Sequence, residues 1–472
     1  MAQTVASAQR KFQSVNPSTN ELIESFEFDS REEIQSKINK GFEAFKAYKK
    51  VPISERASRY LKFADLLESH VDTIARTITE EMGKPIVLAR GEVSRVAYHY
   101  KFYSQNAENL NKLKPVKTEA DHSYIVLEPL GLIHIIIPFN FPFWLAFKAA
   151  ASYMTIGNAV LVRGSDSTPR TTKLMKQFME LAGFGDEFQI VYSKQEDLEY
   201  IVSNPKIRGV SFTGSSAAGS IIASTSGKYL KKCVMELGGS DPFILLEDAN
   251  VDFAVEIAIK SRLKNGGQVC NSSKRFLIHQ NLYESFKKKL IEYLQNVKIG
   301  DPIHEDTELG PLARKDLVDN LQKQIKQAID EDSATLLYGN KFPQHLQEKY
   351  KSGFFLEPVV MEVKSLNSIL MKEETFGPLF ALYKIKDAEE ALEIANSSEY
   401  GLGSVIIAKD TYGAEKIARE IECGMAMINQ VSLSDTRCSS GGVKRSGYGR
   451  ECGEWGCHEF ANIKTVWVEE HK

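Results

Sequence analysis

Residues 146–214 read AFKAAASYMTIGNAVLVRGSDSTPRTTKLMKQFMELAGFGDEFQIVYSKQEDLEYIVSNPKIRGVSFTG. Helix-patterned stretches (AFKAAASYMTIG, TTKLMKQFMELAG, EDLEYIVSNP) alternate with short apolar runs (NAVLVRG, FQIVYS, IRGVSFTG). Such alternation predicts right-handed βαβ units wound around a parallel sheet. A second alternating region runs from about 241 to 430, with strand-like RFLIH, ALYKI and SVIIAK between long helical segments. The prediction is an α/β chain of two doubly wound parallel-sheet domains.

Outward from this stretch the pattern changes twice. Residues 30–115 are helical: Ser30 and Glu33 form a capping box, and Ile34, Ile38, Phe42 and Phe45 follow at helical spacing. The next helical run stops at Gly83 and Pro85. From about 116, SYIVLEPLGLIHIIIPFN is β-branched and reads as strands, and residues 464–468 add one more. Strand segments of this kind are left over for another role beside the two α/β domains.

The composition narrows the function classes. In 472 residues, 43% are apolar and 26% charged, which excludes disordered, collagen-like and coiled-coil chains. Basic residues number 59 and acidic ones 62, for a net charge of -3, which argues against nucleic-acid or anionic-membrane partners. The most apolar run, residues 130–137, is broken by Pro-Phe-Asn-Phe-Pro and is too short to span a bilayer. The six cysteines contain no CxxC and no zinc spacing, so no metal site is expected. So few thiols in so long a chain suit a reducing, cytoplasmic setting, with Cys452 and Cys457 both reduced. The N-terminal MAQTVASAQRKFQSV has no apolar core for secretion. Its Arg10 and Lys11 without acids faintly suggest a transit segment, and a frayed terminus is the simpler reading.

Some residues could carry chemistry. In VSFTGSSAAGS a strand leads into Gly214, Ser215 and Gly219, with a helix expected from about Ser216. A glycine-rich turn feeding a helix N-terminus suits a pyrophosphate, although G-x-x-x-x-G is neither the dinucleotide fingerprint nor a P-loop. In LVRGSDS, Asp166 beyond a strand end could accept ribose hydroxyls, beside Arg163 and Ser165. The plainer reading is a polar loop in which Asp166 or Ser167 caps the next helix. Cys270 follows the turn Asn265-Gly266-Gly267, and a thiol near helix N–H groups has a lowered pKa. An arbitrary cysteine is more often buried and inert. Glu236 precedes a double glycine, so its carboxylate could approach and withdraw as a general base. Asn140 sits between prolines in IPFNFP, rigidly enough to offer its amide to an oxyanion. Together these make a nucleophile, a base and an oxyanion donor without a metal.

The ordered segments NPSTNELI, EMGKP, EPLGLIHIIIPFNFP, GNAVLVRGSDSTP, SFTGSSAAGS, MELGGSDPF, NGGQVC, EETFGP and GGVKRSGYGRE resemble the aldehyde dehydrogenase superfamily from end to end. The ELGGSDP variant and the ending after GGVKRSGYGRE most resemble its bacterial NAD(P)-dependent succinate semialdehyde dehydrogenase branch. The resemblance implies that Cys270 is the nucleophile, Glu236 the base for deacylation, and Asn140 with the Cys270 amide the oxyanion hole. It implies cofactor contacts at Phe139, Arg163, Ser165, Asp166, Gly214, Ser215, Gly219, Leu237, Glu374 and Phe376. Phe139 stands where Trp is usual, Arg163-Gly164 where Lys-Pro is usual, Asp166 where Glu is usual, and Ser440 where Phe is usual. NAD is the expected cofactor because Asp166 would repel a 2'-phosphate; Arg163 pulls the other way and leaves NADP open.

A substrate with a distal carboxylate would need cations or hydroxyls, and the resemblance points to Lys148, Lys264, Ser434 and Arg437. Residues 12–115 and 131–239 are expected to form the cofactor domain and 240–434 the catalytic domain. Residues 116–130 and 456–472 resemble oligomerisation segments, implying a homodimer or homotetramer. The other readings are a general aliphatic aldehyde dehydrogenase, a CoA-acylating semialdehyde dehydrogenase, or a non-catalytic structural relative. Intact Glu236 favours water over CoA as the acyl acceptor.

Overall fold

The computed structural model describes residues 11–470. Residues 1–10, which make up most of the transit-like stretch, and the last two of the C-terminal segment lie outside the described residues.

The predicted α/β class is what the chain adopts. One six-stranded sheet has the order Gly447–Tyr448, Lys232–Glu236, Ile207–Thr213, Leu132–Ile136, Ala159–Arg163, Phe188–Ile190. Its strands are parallel except for the Gly447–Tyr448 edge. The helices Pro142–Ile156, Pro169–Leu181 and Ser216–Lys228 connect or flank these strands. A parallel sheet covered on both faces needs strands that are apolar throughout, and Ala159–Arg163 is buried along almost its whole length.

The second sheet has seven strands, in the order Ala334–Tyr338, Val359–Val363, Leu379–Ile385, Ser273–His279, Asp241–Leu245, Gly403–Ile407, Met425–Ile428. Only the Ala334–Tyr338 edge runs antiparallel. The outlying strands Lys114–Pro115, His122–Pro129 and Ala461–Val468 form a separate antiparallel sheet.

Local signals act where they were read. Ser30 Oγ accepts the Glu33 amide at 3.2 Å while Glu33 accepts the Ser30 amide at 2.7 Å, closing the capping box of Arg31–Tyr48. Gly83, at φ 76°, ends the helix Val71–Met82. No helix among the described residues is long and apolar enough to cross a membrane.

The connection between the two large sheets places the site. Glu236 is the last residue of its strand in the first sheet, and Asp241 opens a strand of the second. Cys270 lies just before Ser273–His279, which pairs with that Asp241 strand. The two residues read as base and nucleophile therefore meet at the seam between the sheets.

Candidate active site

Cys270, Glu236 and Asn140 line one pocket at this seam. Of the helix or strand start expected after Cys270, the chain forms the strand, Ser273–His279. Lys264–Gly267 is a short 3-10 segment, broken where Asn265 and Gly266 adopt φ 53° and 64°. Cys270 follows in a turn, away from any helix N-terminus. Burial pushes its thiol up to about 11, Lys274 and Lys148 oppose the rise, and Glu236 adds to it. The expected lowering of this pKa is thus reversed. The cause is desolvation with no helix dipole to offset it.

The buried Lys274 ammonium holds the turn from below. It donates to the carbonyls of Val269 at 3.1 Å and Ser272 at 3.2 Å, to that of Cys270, and pairs with Glu374 at 3.5 Å. Asn140 Nδ2 donates to the Gln268 carbonyl at 2.9 Å, and Asn265 Nδ2 donates to the Asn140 carbonyl at 2.9 Å. One Asn140 amide hydrogen remains for a reacting oxygen. The Cys270 amide makes no backbone hydrogen bond among the described residues.

Glu236 ends a strand, so the glycines after it do not make it mobile. A Cβ on Gly239 would lie 2.8 Å from the Cys270 carbonyl, so glycine serves the close approach of the two segments. Burial raises the Glu236 carboxyl to about 7, Lys148 opposes the rise, and Glu451 adds to it. Its Oε1 has no hydrogen-bond partner among the described residues. An unpaired carboxylate poised near neutrality suits a general base.

The cations read from the sequence separate here. Lys148 reaches the pocket wall but is buried in an ion pair with Glu451 and keeps its charge there. It acts on Glu236 electrostatically and has no free charge for a substrate carboxylate. Arg437 is exposed, pairs with Asp435 at 2.8 Å and does not line the pocket, because the tight Asp435 turn draws the guanidinium outward. Lys264 and Ser434 do line it.

The sequence reading missed Arg95, Lys274 and Glu451. Arg95 stands 3.8 Å over the Trp144 ring and donates to the Ser434 carbonyl. Desolvation at the pocket and the nearby Arg95 charge lower the Lys264 ammonium below its ordinary value, although its side chain stays exposed. A signal for Arg95 was present. Glu92, Arg95, His99 and Tyr103 share one face of the helix Ile86–Leu110, and a buried stripe with that much polarity marks a site.

The residues read as cofactor contacts fall around the helix Ser216–Lys228 and the end of the strand Ala159–Arg163. Ser215 caps the helix Ser216–Lys228, its Oγ accepting from the Ala218 amide at 3.3 Å. Gly214 immediately precedes this cap. Gly219 packs on Leu237, whose Cδ2 a Cβ there would meet at 2.4 Å, so Leu237 has a packing role. Ser215, Glu374 and Phe376 line one cavity. Phe376 meets Phe139 edge-on at 6.3 Å, and Glu374 accepts from the Gly239 amide at 3.2 Å. Exposed helix N–H groups beside glycines fit a pyrophosphate.

Arg163 donates to Asp166 at 2.9 Å and to the Ser193 carbonyl at 3.1 Å. Ser165 Oγ lies 3.0 Å from Ser167 Oγ. The helix Pro169–Leu181 starts after Thr168 with no side-chain cap, so neither Asp166 nor Ser167 caps it.

A thiol, a side-chain amide and an unpaired carboxylate on one pocket, near a glycine-flanked helix N-terminus, suit the chemistry of an oxidoreductase that works through a cysteine. The aldehyde dehydrogenase family profile matches residues 4–466. The chain is 35% identical over 463 residues to a succinate-semialdehyde dehydrogenase [NADP(+)] of Mycobacterium avium, covering 97% of each. It is also 35% identical over 460 residues to a succinate semialdehyde dehydrogenase [NAD(P)+] of Escherichia coli, again covering 97% of each. A crystal structure of succinic semialdehyde dehydrogenase from Streptococcus pyogenes with NADP+ superposes at TM-score 0.93 and 31% identity, over 97% of this chain and 100% of that one. The chain belongs to the aldehyde dehydrogenase family: it is an oxidoreductase of the class that oxidises aldehydes with a nicotinamide dinucleotide.

Proposed function

We propose that the chain oxidises succinate semialdehyde to succinate with NAD(P). The observation that carries the substrate is the pair of cations at the pocket, Arg95 and Lys264. Neither has an ion-pair partner among the described residues; Arg95 is half-buried in the pocket wall and Lys264 is exposed beside it. Two such charges with Ser434 beside them fit a distal carboxylate, which is costly to bury unpaired.

Cys270 gives its proton to water, and the thiolate sulfur attacks the aldehyde carbon. The negative oxygen that forms accepts from Asn140 Nδ2 and the Cys270 amide, each donor worth about 3 kcal/mol in comparable sites. Ser215, Glu374 and Phe376 would hold the dinucleotide, which would supply a hydride acceptor, and Cys270 keeps the oxidised acyl group as a thioester. Glu236 takes a proton from water, the resulting hydroxide adds to the thioester, and succinate leaves as the thiol is restored. The unpaired Glu236 oxygen beside Cys270 supports water as the acceptor.

Succinate semialdehyde and butanal, which lacks the carboxylate, form the test. The charged substrate is expected to show a KM at least roughly tenfold lower, as charge-assisted hydrogen bonds supply. Arg95→Met or Lys264→Met is expected to remove most of that difference while butanal changes little. A preference for butanal from the outset would make the protein a general aldehyde dehydrogenase.

Both dinucleotides are accepted in this reading, with NAD preferred through Asp166. Because Arg163 holds that carboxylate, the repulsion of a 2'-phosphate is partial. Asp166→Ser is expected to raise kcat/KM for NADP relative to NAD by roughly tenfold. An unchanged ratio would remove Asp166 from cofactor choice.

The edge strand Ala461–Val468 exposes Ile463 and Trp467, a surface consistent with a homodimer or homotetramer built through this segment. The free thiol required at Cys270 suits a reducing cytoplasm.

A further inference from the structure

The strand Leu132–Ile136 is central in the cofactor sheet and apolar except at His134. Leu132, His134 and Ile136 share one face of the sheet, and Ile133 and Ile135 the other. A buried imidazole is costly unless its nitrogens are served. His134 Nδ1 lies 2.9 Å from the Leu161 carbonyl on the neighbouring strand. A carbonyl only accepts, so Nδ1 carries the hydrogen. Burial lowers the ring to about 4, and the nearby Arg163 charge adds to this, so the imidazole is neutral at physiological pH. Nε2 therefore bears a lone pair, and it has no hydrogen-bond partner among the described residues.

A cavity of about 210 Å³ reaches His134. It opens between the helices Leu198–Ser203 and Ser216–Lys228, with Leu198, Ile222, Ile136 and Phe212 as apolar walls and Arg163 among its lining. Ala218, whose amide Ser215 receives, also lines it, so the cavity adjoins the turn suited to the pyrophosphate. Ile221 at the same opening is 64% exposed, a large apolar surface without cover. Apolar walls with a buried, unpartnered imidazole nitrogen between them, and Ser193, Lys194 and Gln195 also lining the cavity, fit an aromatic base that presents an amino group.

We propose that His134 selects the 6-amino purine of the cofactor: its Nε2 accepts a hydrogen bond from the adenine amino group seated in this cavity. The inference rests on the NAD(P) reading above. A 6-oxo purine would set an oxygen lone pair against the Nε2 lone pair. Such a mismatch leaves a buried acceptor unpaired and discriminates more sharply than shape alone.

The test compares NAD with nicotinamide hypoxanthine dinucleotide, in which a carbonyl replaces the amino group, using propanal as the common aldehyde. The adenine cofactor is expected to have a kcat/KM roughly tenfold higher, with the difference in KM. His134→Leu is expected to bring the two values together by raising the KM for NAD. His134→Gln, whose amide can donate to Leu161 while its oxygen accepts, is expected to restore part of the preference. A merely structural role would raise both KM values alike. Equal use of the two cofactors by the wild type, or an unchanged ratio in His134→Leu, would overturn the proposal. Should the leucine variant fail to fold, titration calorimetry of AMP and IMP binding to the wild type, without aldehyde, decides the matter. AMP is expected to bind roughly tenfold more tightly, and equal binding overturns the proposal. Turnover with neither dinucleotide would instead refute the NAD(P) reading itself.

Discussion

Cys270→Ala is expected to reduce aldehyde oxidation below detection while NAD binding, followed by fluorescence titration, stays near the wild-type value. Among the six cysteines only Cys270 lines the pocket with Asn140 and Glu236. Cys233 lies in an apolar cluster with Val210, Phe212 and Met235, Cys423 lies 3.5 Å from Ser404, and Cys438 is exposed. Removing a covalent nucleophile removes the whole reaction path, and losses on the order of a millionfold accompany such changes. Cys438→Ala serves as the control and is expected to retain wild-type turnover. Aldehyde-dependent NADH formation by Cys270→Ala at anything near the wild-type rate would refute the thioester mechanism.

Glu236→Gln is expected to leave a first burst of about one NADH per active site, because acylation does not need a base for water. Steady-state turnover is then expected to fall by roughly 10²–10⁴, the range that general-base catalysis supplies. Rapid-mixing absorbance separates the two phases. Loss of the burst together with turnover would place Glu236 earlier, as the acceptor of the Cys270 proton. That outcome is informative here because burial leaves Cys270 a neutral thiol, pushed up to about 11.

The pH dependence carries a definite sign. Burial raises the Glu236 carboxyl from its ordinary value to about 7, so its basic form predominates above that pH. Deacylation is expected to decline as the pH falls through 7. Glu451 contributes to the rise, so Glu451→Gln is expected to move this acid limb to lower pH. An acid limb that stays in place would mean that Glu451 serves only to hold Lys148.

How much of this was legible in the chain depends on the range of the interaction. The parallel sheets, the capping box at Ser30 and the helix stop at Gly83 follow from periodicity and local backbone preference, which act within a few residues. Cys270, Glu236 and Asn140 were legible because each sits in a local motif, next to glycines or prolines. Their chemical state was not. Whether a thiol is ionised depends on water and charges brought from elsewhere in the chain. Here burial reverses the shift that a nearby helix N-terminus would have produced. The same holds for the cations. Lys148 and Arg437 looked as available as Lys264 until folding set Glu451 against the first and Asp435 against the second. Arg95, far away in the sequence on a helix, became a wall of the pocket only through packing against Trp144 and Ser434. Sequence alone determined the fold class and singled out the candidate reacting groups, because propensity and covalent chemistry reside in single residues and short patterns. Tertiary structure decided the protonation of those groups and which charges remain free, because desolvation and ion pairing belong to neighbours that only folding brings together.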